Sequence, residues 1–333
     1  MNAMYESLMQ LDPVRINFSA SGMHVINIIL SFIMFGVALD IKPHVFWEML
    51  KKPKSVIIGL ISQVVALPLV TFLLVILLSG FITPTVAMGM ILVAACPGGN
   101  ISNFISSLSK ANSELSVGLT ATTTLFATIT TSFNFALWGG LYTNYISKHS
   151  THVLQPLVID NAQMFQTVFI LLGIPLVAGV LFARFFPKIT QKLFRPIQIL
   201  SIVFFIAMVV LAFANNFNLF LKYIYLIFFI VLIHNGLALL AGYGLASIFK
   251  LPCNDVRTIT IETGIQNSGL GLVLLFNPKI FPPDLALGGM LFITAWWGIW
   301  HIISGLGIAF YWNKNTKNSR NLINHNRCLK TTE

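Results

Sequence analysis

The sequence predicts an all-α polytopic membrane protein of about nine transmembrane helices, each long enough to cross a hydrocarbon core of roughly 30 Å. Three observations predict it. The chain is 56% hydrophobic and 9% charged, with a mean hydropathy of +0.83, where an average soluble domain is about 25% charged. Its apolar stretches run to about 20 residues or more, the length a spanning helix needs. Its basic residues, finally, sort to one side of the resulting topology.

The spans read as 23–40, 56–79, 85–108, 116–140, 164–184, 197–215, 223–249, 257–276 and 286–312. Residues 1–22 carry Glu6, Asp12, Pro13 and Arg15 and no apolar run, so they do not span. They also lack the basic start and apolar run of a secretory signal. With the N-terminus outside, 16 of the 20 Lys and Arg residues fall on inner loops and the C-terminal tail, leaving Arg15, Lys148, Lys222 and Lys279 outside. That split follows the positive-inside rule. It accounts for the net charge of +10 without a nucleic-acid partner, because the basic residues are scattered over short loops. The organisation expected is an extracytoplasmic segment (1–22), a transmembrane domain (23–312) and a basic cytoplasmic tail (313–333) in the cell membrane, with the lipid bilayer as partner. Cys96, Cys253 and Cys328 lie too far apart to suggest a disulfide framework or a metal site.

Two spans carry breaks. The third contains Ala95-Cys-Pro-Gly-Gly-Asn-Ile-Ser-Asn103, and the eighth contains Glu262-Thr-Gly-Ile-Gln-Asn-Ser-Gly269. Proline and glycine weaken a helix interior, and irregular backbone at membrane depth persists only where it is buried in protein or lines a cavity. Each break falls in the third span of a group of four, spans 1–4 and 6–9, and the groups start on opposite sides of the membrane. That is an inverted repeat, and paired discontinuous helices in matching positions point to the binding site of a secondary transporter.

Glu262 is the one acidic residue, of ten, placed at membrane depth; the other nine fall at termini, loops or span edges. A buried carboxylate there needs a cation, a proton or a basic partner. The histidines at depth are His234, read as structural, and His301, read either as structural or as a site residue. Ser102 and Asn103 follow the first break. Ser116 and Thr120 stand at i, i+4 and share a helix face, as Glu262 and Gln266 do approximately, and Gln63 is a lone amide in the second span. Each of these oxygens could instead make an ordinary helix–helix contact.

At these residues the chain resembles the bile acid:sodium symporter family, through Cys96-Pro-Gly-Gly-Asn-Ile-Ser-Asn103, Leu115-Ser116 to Thr120, His234-Asn-Gly236 and Thr260-Ile-Glu-Thr-Gly-Ile-Gln-Asn-Ser-Gly269. The resemblance implies a core domain (spans 2–4 and 7–9) with two crossing discontinuous helices, and a panel domain (spans 1, 5 and 6). It implies two Na⁺ sites, one from Ser102, Asn103, Ser116, Thr120 and Glu262, the other from Gln63, Glu262, Gln266 and the backbone of Thr263 and Ile265. It places a small organic anion, bile-acid-like or another carboxylate, near Asn100, Ile101, Asn267, Ser268 and His301. The function expected is Na⁺-coupled symport of that anion by alternating access. The alternatives are proton coupling through Glu262 and export of a metalloid, with Cys96 near the first break. An enzyme is not expected: the chain has no Ser/His/Asp order, no HExxH and no Cys/His cluster.

Overall fold

The computed structural model describes residues 3–13, 28–29, 31–36, 38–39, 47, 49, 51, 53–149, 165–166, 169–214, 217–277, 280–282 and 285–330. Nearly all of these residues are helical, and among them the one β-type contact is an isolated bridge. Eight of the nine expected spans appear as helical units. Of the first, 23–40, residues 28–29, 31–36 and 38–39 are described, nearly all of them helical, while Asp40, Lys42, Glu48, Lys279 and Asp284 lie outside the described residues.

Residues Ala3–Met9 form α1. It does not span; Leu8 and the following Leu11 are buried in the main core cluster. The second span is α2 (Pro53–Ile61) and α3 (Leu67–Leu77), joined by a π-helical turn, Ser62–Ala66. The cause is Pro68, which has no N–H to offer the carbonyl of Val64 four residues earlier; the Leu67 N–H reaches back instead to Ser62. Among the described residues, three helical stretches are long and apolar enough to cross a membrane: Pro53–Leu77, Leu221–Ile248 and Gly288–Lys314.

The third span is α4 (Pro84–Ala95) and α5 (Ile101–Leu108). Every residue of α4 from Val86 to Ala95 is buried. A helix apolar all round belongs in the middle of a packed bundle, and α4 lies among α3, α6 (Ser113–His149) and α12 (Gly288–Lys330). It stops where Pro97 forces the preceding residue out of helix, and Cys96 is extended (φ −70°, ψ 155°). At the end of α5 the Ala111 N–H bonds the carbonyl of Ser106 and the Lys110 N–H that of Ser107, around Lys110 at φ 55°. This is a Schellman turn, and α6 then starts under the Asn112 side chain, which accepts the N–H of Leu115.

A second π-turn, Phe169–Gly173, leads into α7 (Ile174–Phe185); α8 (Pro187–Ala214) carries Pro196 inside it, and α9 runs Phe217–Ile248. α9 ends in another Schellman turn, around Lys250 at φ 52°. The eighth span is α10 (Cys253–Gly264) and α11 (Ser268–Leu275). α10 packs along α9, and α11 along α12. The segment expected as a basic cytoplasmic tail is helical to Lys330, as the end of α12.

The starts of the two broken helices, at the ends away from the breaks, are each held by a carboxylate. Asp12 accepts from Thr83, at 2.9 Å, and from Thr85, at the start of α4. Asp255, in the first turn of α10, accepts from Ser55 at 2.6 Å and from Asn112 Nδ2 at 2.7 Å. Sequence reading places both acids at termini, loops or span edges, and in the structure their hydrogen bonds make them parts of the packing. Burial pushes the Asp12 carboxyl up to about 6, against the lowering effect of its two threonine donors.

Candidate functional site

The two breaks meet, so the discontinuous helices cross there. Gly98 pairs with Gln266 in an antiparallel bridge. The Gly99 N–H donates to the carbonyl of Ile265 at 2.9 Å, and the Asn267 N–H to that of Pro97 at 2.8 Å. Each break thus supplies hydrogen bonds that the other lost by leaving the helix. The approach leaves little room for side chains on the first break. A Cβ on Gly98 would stand 3.1 Å from Gln63 Oε1 and from Glu262 Oε2, and one on Gly99 3.1 Å from the carbonyl oxygen of Gln266.

Glu262 lies on the last turn of α10 and is fully buried. Ser102 Oγ of α5 donates to its Oε1 at 2.5 Å, and Ser116 Oγ of α6 donates to the same oxygen. Thr120 Oγ1 donates to Oε2 at 2.9 Å, and Gln63 Nε2 reaches Oε2 at 3.5 Å. Asn103 Oδ1 stands 3.0 Å from Ser116 Oγ and 3.2 Å from Thr120 Oγ1. A hydroxyl has one hydrogen to give. The carboxylate and the Asn103 carbonyl therefore compete for the same two hydroxyl hydrogens, in a cluster rich in oxygen and poor in protons. The five residues proposed for one Na⁺ site are in mutual contact. The i, i+4 pairing of Ser116 with Thr120 holds. Pairing of Glu262 with a histidine does not: among the described residues its side-chain partners are those named, and His234 bonds Thr71 at 2.7 Å and packs on Trp297.

Gln63 sits in the π-turn, beside Ser62, whose hydroxyl meets that of Thr263 at 2.7 Å. Gln266 departs from expectation. It lies beyond the end of α10, so it does not share a helix face with Glu262. Its Nε2 turns back to the carbonyls of Thr263 (2.9 Å) and Glu262 (3.3 Å). The Oε1 atoms of Gln63 and Gln266 are both buried with no hydrogen-bond partner among the described residues. Two unpartnered amide oxygens beside a carboxylate are the donor set a hard cation takes. The carbonyl of Ile265 already serves the Gly99 bridge.

The residues expected to face an anion are more dispersed in role. Asn100 and Ile101 are exposed at the start of α5. Asn267 caps α11, its Oδ1 accepting the Leu270 N–H at 3.0 Å, and Ser268 is buried beside it. His301 is buried in α12, and its Nδ1 has no partner among the described residues. Cys96 is buried and free. Sequence reasoning passed over Thr123, whose Oγ1 accepts the Gly98 N–H at 3.4 Å. It also passed over Asn134 and gave no role to Asn235, quoted only within His234-Asn-Gly236; they bond carbonyls at the π-turn and at the end of α10. A threonine or asparagine in a membrane helix carries no mark that separates these roles from ordinary packing.

The pattern that defines the Sodium Bile acid symporter family matches residues 27–223. The chain belongs to that family. It is 33% identical over 293 residues to a protein of Bacillus subtilis (strain 168) named uncharacterized sodium-dependent transporter YocS, covering 88% of this chain and 84% of the other. It is 27% identical to a rice protein named probable sodium/metabolite cotransporter BASS2, chloroplastic, over 80% of this chain and 62% of that one. It is 30% identical to the bovine P3 protein, over 72% of this chain and 48% of the other. Family membership agrees with a membrane protein carrying multiple spans, and the relatives named above as transporters point away from an enzyme.

Proposed function

We propose that this protein is a Na⁺-coupled symporter of a small organic anion, working by alternating access. The observation that carries the reading is the buried Glu262 among more acceptors than hydroxyl hydrogens, at the crossing of two broken helices. A sodium ion relieves the competition: it takes the carboxylate and Asn103 oxygens as ligands and leaves each hydroxyl one partner. Ser102, Asn103, Ser116, Thr120 and Glu262 would hold one ion; Gln63, Glu262, Gln266 and the carbonyls of Thr263 and Ile265 would hold another. The names of the bacterial and rice relatives support the choice of ion.

The anion binds near Asn100, Ile101, Asn267, Ser268 and His301. There the N-terminal ends of α5 and α11 present their dipoles to negative charge. Sodium favours the anion-competent state, and by linkage the anion raises sodium affinity. The rigid core is formed by spans 2–4 and 7–9 and moves against a panel of spans 1, 5 and 6. The protein lies in the cell membrane with its N-terminus outside and its C-terminus in the cytoplasm.

The test is the thermal stability of the purified protein in NaCl against KCl at equal ionic strength, for wild type and Glu262→Gln. Ligand at 100 times its Kd stabilises by about 2.7 kcal/mol, so a sodium-specific rise in Tm is expected in wild type and its loss in the variant. A panel of small carboxylates then raises Tm further only in sodium. Equal Tm in the two salts for wild type overturns the reading and leaves proton coupling through Glu262 to be tested by the same series against pH.

A further inference from the structure

Two asparagines outside the cluster around Glu262 make the same pair of contacts in two different places. Asn134, buried on α6, donates through Nδ2 to the carbonyl of Val64 at 3.1 Å, and its Oδ1 accepts from Trp138 Nε1 at 3.1 Å. Asn235, buried on α9, donates through Nδ2 to the carbonyl of Gly264 at 2.7 Å, and its Oδ1 accepts from Ser304 Oγ of α12 at 2.6 Å. In both cases the carbonyl lacks its helical donor. Val64 lacks it because residue 68 is proline, and Gly264 because α10 ends there.

Both carbonyls also adjoin the residues argued above to meet a cation. Val64 follows Gln63 in the π-turn; Gly264 lies between Thr263 and Ile265 and two residues from Glu262. A buried carbonyl without its helical donor is costly and needs another, and here the asparagine Nδ2 is that donor. The second anchor on each Oδ1 fixes which way the amide faces, so that the donor and not the acceptor meets the carbonyl. The local chain is held from outside at both points where the helix is irregular.

We propose that Asn134 and Asn235 are positioning residues of the cation site. Each holds one irregular turn in the shape that aims its neighbours, Gln63 in one case and Thr263 with Glu262 in the other, at the ion. Trp138 and Ser304 hold the asparagines. Ser304 Oγ also lies 3.2 Å from the carbonyl of His301, so the α12 segment near the proposed anion site is tied through Asn235 to the end of α10. The proposal rests on the sodium reading.

The experiment is a NaCl titration of Tm at constant total salt, balanced with KCl, on the full-length protein. The variants are Asn134→Ala, Asn235→Ala, the gentler Trp138→Phe and Ser304→Ala, and Ser304→Thr, with Glu262→Gln as the control that removes the site. Groups that orient a metal's ligands typically change its affinity about 10- to 100-fold when removed. Half-saturating sodium is therefore expected to rise about ten-fold or more in the two asparagine variants and severalfold in Trp138→Phe and Ser304→Ala. Ser304→Thr keeps the hydroxyl and is expected to stay within about two-fold of wild type. A purely structural role lowers Tm equally in both salts and leaves half-saturation unmoved. If wild type responds to sodium, Glu262→Gln does not, and Trp138→Phe and Ser304→Ala keep the wild-type half-saturation, the proposal is overturned and the sodium reading stands. If wild type itself does not respond, the sodium reading falls and takes the proposal with it.

Discussion

The two breaks face each other across one bridge and are built in opposite ways. The first is Pro97-Gly98-Gly99, backbone almost without side chains, and its neighbours close in to 3.1 Å of where a Cβ would be. The second is Ile265-Gln266-Asn267, and each polar side chain there replaces a bond that the helix gave up: Gln266 caps the carbonyls of Glu262 and Thr263, and Asn267 caps α11. The first break provides space and the second provides structure. A crossing needs both, because two backbones that each carried side chains could not approach, and two bare ones would leave helix ends unsatisfied.

That contrast can be broken most forcefully at Gly98. Gly98→Ala puts a methyl group against Gln63 Oε1 and Glu262 Oε2, and overpacking of this kind costs about 1–3 kcal/mol. Its larger effect is to occupy the space between the oxygens. The sodium-dependent rise in Tm is expected to disappear while the protein still folds in KCl; a normal sodium response would show that the space is not used. Gln266→Ala comes next. It leaves two carbonyls uncapped, at about 1–3 kcal/mol by the price of an unmet buried group, and denaturation should report both lower stability and weaker sodium response. Asn267→Ala removes only a cap, worth about 1 kcal/mol. Stability falls by that amount with half-saturating sodium unchanged, and a large change in sodium affinity would erase the division of labour between the breaks.

The smallest effect concerns the far ends of the same helices. α4 begins under Asp12, contributed by the N-terminal segment, whereas α10 begins with its own Asp255. Burial raises the Asp12 carboxyl to about 6 from an ordinary value of 3.8. The folded state thus holds this proton more tightly than the unfolded one, so stability from this group rises as pH falls from above 6 towards 4. Amide exchange of residues 3–13 should slow relative to the intrinsic rate over that window in wild type, and Asp12→Asn should flatten the trend. A trend that survives in Asp12→Asn assigns the dependence to another group.

Much of this was legible beforehand because proline, glycine and charge leave strong marks in an apolar chain. Pro97 and the paired glycines announced the first break, and Glu262 announced the site, since a lone carboxylate in lipid is conspicuous in any sequence. Ser116 and Thr120 were found through helical spacing. The spacing of Glu262 and Gln266 gave only an approximate pairing, because α10 ends at Gly264. The π-turn at Ser62–Ala66 had its cause in plain view at Pro68, yet a proline inside an apolar run kinks, breaks or widens a helix according to the neighbours that cap the freed carbonyl. Asn134 and Asn235 were not legible, because their partners lie 70 and 29 residues away in sequence.

The N-terminal segment has a consequence for biosynthesis. Asp12 leaves the ribosome long before Thr83 and Thr85, and longer still before Gly288, whose N–H reaches the Asp12 carbonyl at 3.4 Å. The contacts that hold residues 3–13 are therefore complete only after the last helix has entered the membrane. Completion of that docking marks the end of assembly, and a chain stalled before α12 would lack the Gly288 bond to a segment whose Leu8 and Leu11 are buried in the finished protein.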